Sequence, residues 1–307
     1  MAAGRRLTWS DLPAQVQSAV EDILGGRVSG AASQIGGFSP GSADRVVTTS
    51  GRRAFVKAVS AAQNPHTPDL HRREARIASA LPASEHVPGL LGTFDDGGWV
   101  AVVLEDVEGR HPVTPWVPAE LDAVLAALAE LSTSLTPSPV PGLPTARSDL
   151  ADDFDGWARV QADAPSDLDP WVKARLADLV RAAGRGLEAL EGRSLLHTDL
   201  RSDNVLVRPD GGVVFVDWPW ASLGPAWLDV LLLLVNVNLF GGHDMEALVS
   251  KHLAEVPAEE VTGVLTGLAG YFVDVARLPP PDGIPTIRDF QRDQGFTALR
   301  WLKQRMP

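Results

Sequence analysis

The sequence contains no cysteine in 307 residues. This absence excludes disulfide bonds and thiolate metal sites, and it suits the reducing cytoplasm in which we expect the protein to work. A long apolar run is also lacking, because the most apolar stretch, 227–239, includes Asp229 and two asparagines and is too short to span a bilayer. We predict a buried helix there and no membrane partner. The basic residues near the N-terminus are not followed by an apolar segment, so no signal peptide is predicted.

Positive charge is scarce. The chain has 27 Lys and Arg against 39 Asp and Glu, a formal net charge of −12. A nucleic-acid partner would require a basic surface, so we predict none. The acidity is compatible with a cationic substrate drawn to an acidic cleft, although acidity that only keeps the protein soluble would look the same. With 45% hydrophobic residues and a mean hydropathy near zero, the chain should be globular and can form one large core or two lobes.

The most informative stretch runs from His197 to Asp217. Two short apolar runs, 205–207 and 213–216, flank an Asp-Gly-Gly turn signal, which predicts a β-hairpin. That hairpin would bring Asp217 back beside Asn204. Asp and Asn also occupy ordinary turns, so either residue alone would carry little weight.

Oxygen-bearing side chains in this stretch suit phosphoryl chemistry. Amide and carboxylate oxygens are the ligands that Mg²⁺ prefers, which makes Asn204 and Asp217 candidate metal ligands. Asp199 could orient a hydroxyl group and accept its proton as the oxygen attacks phosphorus. The pattern therefore predicts phosphoryl transfer assisted by a divalent cation.

The first third of the chain has the pattern of an antiparallel sheet. Strands are predicted in the five apolar or alternating runs 28–35, 44–49, 53–59, 90–94 and 99–104. A glycine-rich loop, 36–41, joins the first two runs, and its backbone at Gly36, Gly37 and Ser39 could approach phosphates closely. An ordinary hairpin loop would have the same composition.

A lysine lies inside the third apolar run. Lys57 would be costly on a buried face unless an acidic residue paired with it. In the predicted helix 70–81, Glu74 shares a face with Leu70, Ile77 and Leu81, so it needs a cation in turn. We predict a Lys57–Glu74 ion pair. The alternative is that Lys57 points to solvent and Glu74 pairs with a neighbouring arginine.

The remainder of the chain is predominantly helical by pattern, with no internal repeat. Helices are predicted at 8–24, 118–135, 148–163, 169–191, from 226 onwards, and at 244–255, 257–278 and 285–305. Four aspartates, including Asp153, cluster early in 148–163. They could contribute to a substrate cleft, although acidic residues at a helix start also favour the macrodipole.

Together these motifs resemble the aminoglycoside phosphotransferase family. Its catalytic loop reads His-x-Asp-x-x-x-x-Asn and precedes a strand ending in a metal-binding Asp, which here corresponds to His197, Asp199, Asn204 and Asp217. The resemblance implies an α+β, bilobal protein-kinase-like fold. Residues 1–106 would form a small nucleotide-binding lobe with a five-stranded antiparallel sheet and a helix, and residues 107–307 a larger, mostly helical catalytic and acceptor lobe.

The resemblance also implies a small-molecule kinase that uses ATP or GTP and Mg²⁺. Lys57, fixed by Glu74, would hold the α- and β-phosphates, and the glycine-rich loop would cover them. The hinge backbone would bind the base through the Glu105 carbonyl and the Val107 N–H. The implied acceptor is a hydroxyl of an aminoglycoside-like compound or of another antibiotic or metabolite, in a protein that is a monomer or a weak dimer.

Other parts of the family pattern concern the catalytic loop. Asp229 would brace its backbone, and the C-terminal helices would help to form the acceptor pocket. Arg201 is a candidate catalytic residue, since a cation there could contact the γ-phosphate, or it could balance Asp203. No arginine directly precedes Asp199 and no activation segment follows Asp217, which favours a small-molecule kinase over a protein kinase. A catalytically inactive nucleotide-binding protein of the same fold is the alternative.

Overall fold

The computed structural model describes residues 7–34, 41–281 and 286–306. The chain forms two compact units, the first made of Met1–Pro112 with Asp203–Trp220 and the second of Val113–Ser202 with Ala221–Pro307. The predicted boundary lies after residue 106, whereas the two units divide between Pro112 and Val113. The segment Asp203–Trp220, which was predicted to belong to the larger lobe, groups with the first unit. The assignment of nucleotide and acceptor binding to separate lobes stays a prediction.

The first unit is built on a five-stranded antiparallel sheet, as predicted, and its strands follow the order β1-β2-β3-β5-β4. Its elements are α1 (Ala14–Leu24), β1 (Val28–Ser33), β2 (Ser42–Thr48), β3 (Arg53–Ser60), α2 (Thr67–Ala80), β4 (Leu90–Asp95) and β5 (Trp99–Leu104).

The two faces of this sheet differ in character. Small and β-branched residues such as Val46, Val56 and Ala58 form one core with the apolar side of α1. Because side chains alternate along a strand, the intervening residues project from the opposite face. There Arg45 pairs in register with Phe55, two residues before Lys57. The sheet therefore presents cations and an aromatic ring away from its core.

The N-terminal helix is shorter than predicted. Helical pattern extends over 8–24, but the structure has a three-residue 3₁₀ turn at Trp9–Asp11, and α1 begins only after Pro13. Proline has no N–H and its ring clashes with the preceding turn, so it separates the two elements. The Thr8 N–H donates to the Asp11 carboxylate over 2.9 Å, which stabilises the short turn on its own.

The second unit is mostly helical, and one hairpin between its segments belongs to the first unit. Its first elements are α3 (Pro118–Ser134), α4 (Ala146–Asp149), α5 (Ala151–Phe154), α6 (Gly156–Ala162), α7 (Pro170–Glu188) and β6 (Ser194–Leu196). The hairpin of the first unit follows, with β7 (Val205–Val207) and β8 (Val213–Phe215). The remaining elements are β9 (Ser222–Gly224), which pairs with β6, then α8 (Leu228–Phe240), α9 (Met245–His252), α10 (Ala258–Val275) and α11 (Ile287–Arg305).

Residues 148–163 form three short helices where one was predicted. The backbone leaves helical geometry at Leu150 and Asp155, each with ψ near zero. The breaks allow Phe154 and Trp157 to pack against α10, where the Trp157 Nε1–H donates to the Thr266 carbonyl over 2.8 Å. Burial of two large aromatic rings outweighs helix continuity here.

Among the residues described, no helix combines the length and apolar character needed to cross a membrane. The most apolar one, α8, has 13 residues and carries the buried polar side chains Asp229 and Asn236. The prediction of a buried helix in this region is confirmed.

Candidate active site

Lys57 is the centre of a three-residue charge cluster in the first unit. Its Nζ lies 2.6 Å from Glu74 Oε1 and 2.7 Å from Asp217 Oδ1. The predicted pairing of Lys57 with Glu74 is confirmed, and the solvent-facing alternative is wrong. Burial opposes the ammonium charge, but Glu74 and then Asp217 outweigh it and raise the pKa of Lys57. Lys57 is therefore a fixed positive charge in the interior of an apolar strand, β3.

The predicted hairpin is also confirmed, with Val205 opposite Phe215. The Val216 N–H donates to the Asn204 carbonyl over 3.0 Å, so Asp217 follows a residue that is hydrogen-bonded to Asn204. Asp217 has φ 71°, a left-handed conformation that aspartate tolerates better than most residues. The backbone therefore changes direction at Asp217, the candidate metal ligand.

The donor set at this hairpin suits a hard cation. Asn204 offers an amide oxygen and Asp217 a carboxylate, and Mg²⁺ commonly binds one or two such groups and completes its shell with phosphate oxygens. Over the described ranges, no group of three or more His, Asp or Glu residues is arranged to hold a metal. The oxygens of these two residues are of the type that Mg²⁺ binds, and their role as metal ligands stays a prediction.

His71 is a buried residue beside this cluster that the sequence analysis did not single out. It lies on α2 one turn before Glu74 and is 6% exposed. Burial, followed by the nearby Lys57 charge, lowers the pKa of His71 to about 4. Its spacing of three residues from Glu74 is the signal that could have identified it.

The glycine-rich loop is only partly described. Gly36, Gly37 and Ser39 lie outside the described residues, so their phosphate-binding role stays a prediction. Gly41, where the chain enters β2, has φ 109°, and a Cβ there would lie 2.6 Å from the Ala58 carbonyl oxygen. Glycine is thus required at the point where this loop joins the sheet.

The predicted hinge leaves β5 in a fixed conformation. The Glu105 N–H donates to the Gly89 carbonyl over 2.9 Å, and the Glu105 carboxylate accepts from the Gly89 N–H over 3.0 Å. Within the described residues, neither the Glu105 carbonyl nor the Val107 N–H forms a backbone hydrogen bond. Two groups that bind the edge of a base must be available in this way. Both residues border an open pocket of about 700 Å³ that does not include Lys57.

The catalytic-loop candidates lie in the second unit, where Asp229 holds the backbone. Its carboxylate accepts from the His197 N–H over 2.7 Å and from the Thr198 N–H over 2.9 Å. Thr198 has φ 63°, an unfavourable conformation for a β-branched residue. The expected brace is confirmed. Burial raises the pKa of Asp229, while His197 and the two N–H groups favour its charged form.

Asp199 and Arg201 are close to each other. Arg201 Nη1 lies 3.4 Å from Asp199 Oδ1, and its guanidinium lies over the Phe290 ring at 5.6 Å from the centroid. Asp199 and Phe290 are thus partners of Arg201 on its own unit. Sequence analysis missed Phe290, although it lies in the C-terminal helix that the family resemblance assigned to the acceptor pocket.

Polar groups on neighbouring helices of the second unit form a further network. Gln291 Nε2 donates to the Tyr271 hydroxyl over 3.2 Å, and Arg288 Nη1 donates to Gln291 Oε1 over 2.7 Å. Burial, followed by Asp153 and more weakly Asp199, raises the pKa of Tyr271. The charges of both carboxylates thus act on the Tyr271 hydroxyl. It is the only tyrosine in the chain, a compositional signal that the sequence analysis did not use.

A family model described as the phosphotransferase enzyme family matches residues 38–259, well over half of the chain. The chain belongs to the phosphotransferase enzyme family. This match confirms the family resemblance drawn from the catalytic-loop motif. The search of curated proteins found no match to this phosphotransferase.

Solved structures similar to this phosphotransferase include small-molecule kinases. An aminoglycoside phosphotransferase from Alicyclobacillus acidocaldarius is 18% identical, with a TM-score of 0.54 over 95% of this chain and 96% of that one. A choline kinase from Streptococcus pneumoniae is 16% identical, with a TM-score of 0.62 over 94% and 98%. An amicoumacin kinase solved with AMP-PNP and Ca²⁺ is 11% identical, with a TM-score of 0.57 over 94% of each chain. These likenesses confirm the α+β, protein-kinase-like fold.

Proposed function

We propose that this phosphotransferase transfers the γ-phosphate of ATP or GTP to a hydroxyl group of a small, cationic acceptor. The observation that carries the proposal is Lys57 held between Glu74 and Asp217. Because two carboxylates fix the position of this ammonium, it can bind phosphate oxygens without first being ordered. Family membership and the kinase neighbours support the same reaction class.

The nucleotide would bind to residues of the first unit. Lys57 would contact the α- and β-phosphates, and the Glu105 carbonyl and Val107 N–H would bind the edge of the base. Asn204 and Asp217 would hold Mg²⁺, which when bound neutralises charge on the phosphate oxygens. The amicoumacin kinase, solved with an ATP analogue and a divalent cation, supports this pairing of nucleotide and metal.

Asp199 would orient the acceptor hydroxyl in line with the γ-phosphorus. As the new O–P bond forms and the bond to the β-phosphate oxygen breaks, the hydroxyl proton passes to the Asp199 carboxylate, and a nucleoside diphosphate leaves. Arg201 would meet the negative charge of the transferred group, since it already lies beside Asp199. Catalysis here depends on positioning and electrostatics.

The acceptor would bind against α5, α10 and α11. Asp153 is a half-buried carboxylate with no hydrogen bond or ion pair among the described residues, and burial, followed by the Asp152 charge, raises its pKa to about 6. A protonated amine on the acceptor would relieve that penalty. Tyr271, close enough to sense Asp153 and Asp199, would lie between the amine and the reacting hydroxyl.

The test is turnover of ATP and GTP with Mg²⁺ across a panel of aminoglycosides, other antibiotics and amino alcohols. We expect one acceptor to stimulate nucleoside diphosphate release and to gain a phosphate by mass spectrometry. Asp199→Asn should reduce kcat by at least about a hundredfold, the scale expected for loss of a general base, and leave nucleotide affinity unchanged.

The matched control is Asp22→Asn, the same chemical change on the exposed side of α1. It should retain full turnover. If wild type and Asp199→Asn bind nucleotide equally and neither phosphorylates any member of the panel, the chain is a nucleotide-binding protein without this activity. If neither binds a nucleotide, the proposed site in the first unit is wrong.

A further inference from the structure

The hinge of the first unit is held by two arginines through one carboxylate. Arg45 Nε lies 2.6 Å from Asp106 Oδ1, and Arg53 Nε lies 2.7 Å from Asp106 Oδ2. The Asp106 side chain is 3% exposed, and the two arginines offset the cost of burying its carboxylate. Arg45 also donates from Nη2 to the Val107 carbonyl over 3.1 Å. Arg45 thus reaches from the sheet to the hinge backbone.

The hinge is fixed at its far end as well. Arg110 and Val207 exchange two backbone hydrogen bonds of 3.0 and 2.7 Å, which join the hinge to strand β7. His111 Nδ1 lies 3.1 Å from the Val205 carbonyl. Because both ends and the middle are tethered, the position of the Arg45 guanidinium relative to Val107 is set before any ligand binds.

The face of the sheet that carries Lys57 also carries Arg45. Arg45 is opposite Phe55 in the register, and Phe55 precedes Lys57 by two residues, a separation of roughly 7 Å along the strand. A nucleotide with phosphates on Lys57 and its base at Val107 would follow this face. Its base would then lie against Phe55 and the planar guanidinium of Arg45.

We propose that Arg45, positioned by Asp106 and Val107, forms a stacking surface for the purine base and sets the affinity for the nucleoside part of the donor. This inference rests on the proposed nucleotide site. A guanidinium stacks on aromatic planes, and with Nε and Nη2 already paired it remains flat and fixed. Arg53 is a positioning residue, because it contacts Asp106, the carboxylate that holds Arg45.

The decisive variant is Arg45→Lys, which keeps the charge and removes the planar group. Binding of ATP, GTP and inorganic tripolyphosphate to the full-length protein is measured by calorimetry. We expect ATP and GTP to bind on the order of tenfold more weakly, as for loss of a desolvated cation–π contact. Tripolyphosphate has no base and should bind within about twofold of wild type.

Two further variants complete the test. Arg27→Lys makes the same change at an exposed arginine between α1 and β1 that does not line the pocket at Glu105 and Val107, and it should bind all three ligands normally. Asp106→Asn frees Arg45 and should show the same selective loss as Arg45→Lys, and Arg45→Lys alone decides the outcome if Asp106→Asn does not fold. Unchanged ATP binding, or equal losses for ATP and tripolyphosphate, would overturn the stacking role. A wild type that binds tripolyphosphate and no nucleotide would overturn the proposed donor itself.

Discussion

Lys57 shares its single ammonium between Glu74 and Asp217, at 2.6 and 2.7 Å. Asp217 is also the proposed carboxylate ligand of Mg²⁺, so the lysine and the cation compete for its oxygens. Glu74 is 3% exposed and draws Lys57 away from that competition. We therefore expect the glutamate to influence cation binding although it is not itself a proposed ligand.

Glu74→Gln should raise the Mg²⁺ concentration needed for half-maximal activity. The neutral amide leaves Lys57 paired with Asp217 alone, and loss of about 1.4 kcal/mol of competing interaction corresponds to a tenfold shift. Titration of turnover with MgCl₂ at saturating nucleotide measures the shift. Glu85→Gln, at an exposed position, should leave the titration unchanged. An identical Mg²⁺ dependence in wild type and Glu74→Gln would contradict this account.

Asp229→Asn should lower both stability and kcat. The buried carboxylate accepts two backbone N–H groups, and an amide can accept through only one oxygen. Loss of one charge-assisted hydrogen bond costs about 1.5–3 kcal/mol. With Thr198 at φ 63° less well held, Asp199 should lose its orientation. Thermal unfolding and steady-state kinetics measure the two effects, and nucleotide affinity should remain near wild type.

Asp244→Ala separates these two effects. Asp244 caps α9 by accepting the Glu246 and Ala247 N–H groups over 3.0 and 3.1 Å, so it has the same hydrogen-bonding role at a site with no proposed catalytic function. Its loss should lower the free energy of unfolding by about 1 kcal/mol and leave kcat unchanged. If Asp229→Asn also kept full kcat, Asp229 would be a structural residue only.

Local sequence was sufficient to predict several parts of the site. The turn between the two apolar runs predicted the β7–β8 hairpin, because Gly211, with φ 89°, can adopt the conformation that such a turn needs. An isolated lysine in an apolar strand and a glutamate on the apolar face of a helix predicted the Lys57–Glu74 pair. In the second case, burial requires each charged side chain to have a partner of opposite charge, and this requirement identifies the pair.

Other features depend on packing between distant segments. Arg45 and Asp106 are 61 residues apart, and their contact depends on the register of β2 and on the path of the chain after β5. The helix predicted over 148–163 is divided because Phe154 and Trp157 pack against glycines of α10. Neither the strand register nor these small-residue contacts can be read from periodicity.

The crossing of α7 and α10 provides a test of that packing. A Cβ at Gly263 would lie 2.8 Å from the Gly186 nitrogen, and one at Gly186 would overlap the Gly263 carbonyl. Gly186→Ala should therefore destabilise the protein by roughly 1–3 kcal/mol through overpacking. Gly184→Ala, two residues away on the same helix and in open space, should stabilise it by about 0.5–1 kcal/mol. Equal effects on urea unfolding would contradict the close approach.

The pH dependence of acceptor binding tests the role of Asp153. Burial, with a contribution from the Asp152 charge and opposition from Arg159, raises the pKa of Asp153 to about 6. Below that pH the carboxyl is neutral, and a cationic acceptor loses its partner. KM for the acceptor should therefore rise as pH falls below 6, by up to about tenfold per pH unit, while KM for the nucleotide changes little.

Two neighbouring aspartates separate this effect from general acidity. Asp153→Asn should raise KM for the acceptor and remove its dependence on pH near 6, because no group at that position titrates. Asp152→Asn changes a side chain that is 92% exposed and should keep the dependence, with its midpoint moved to lower pH, since the Asp152 charge contributes to the raised pKa of Asp153. A pH profile that is the same in wild type and Asp153→Asn would show that the cationic acceptor pairs with another carboxylate.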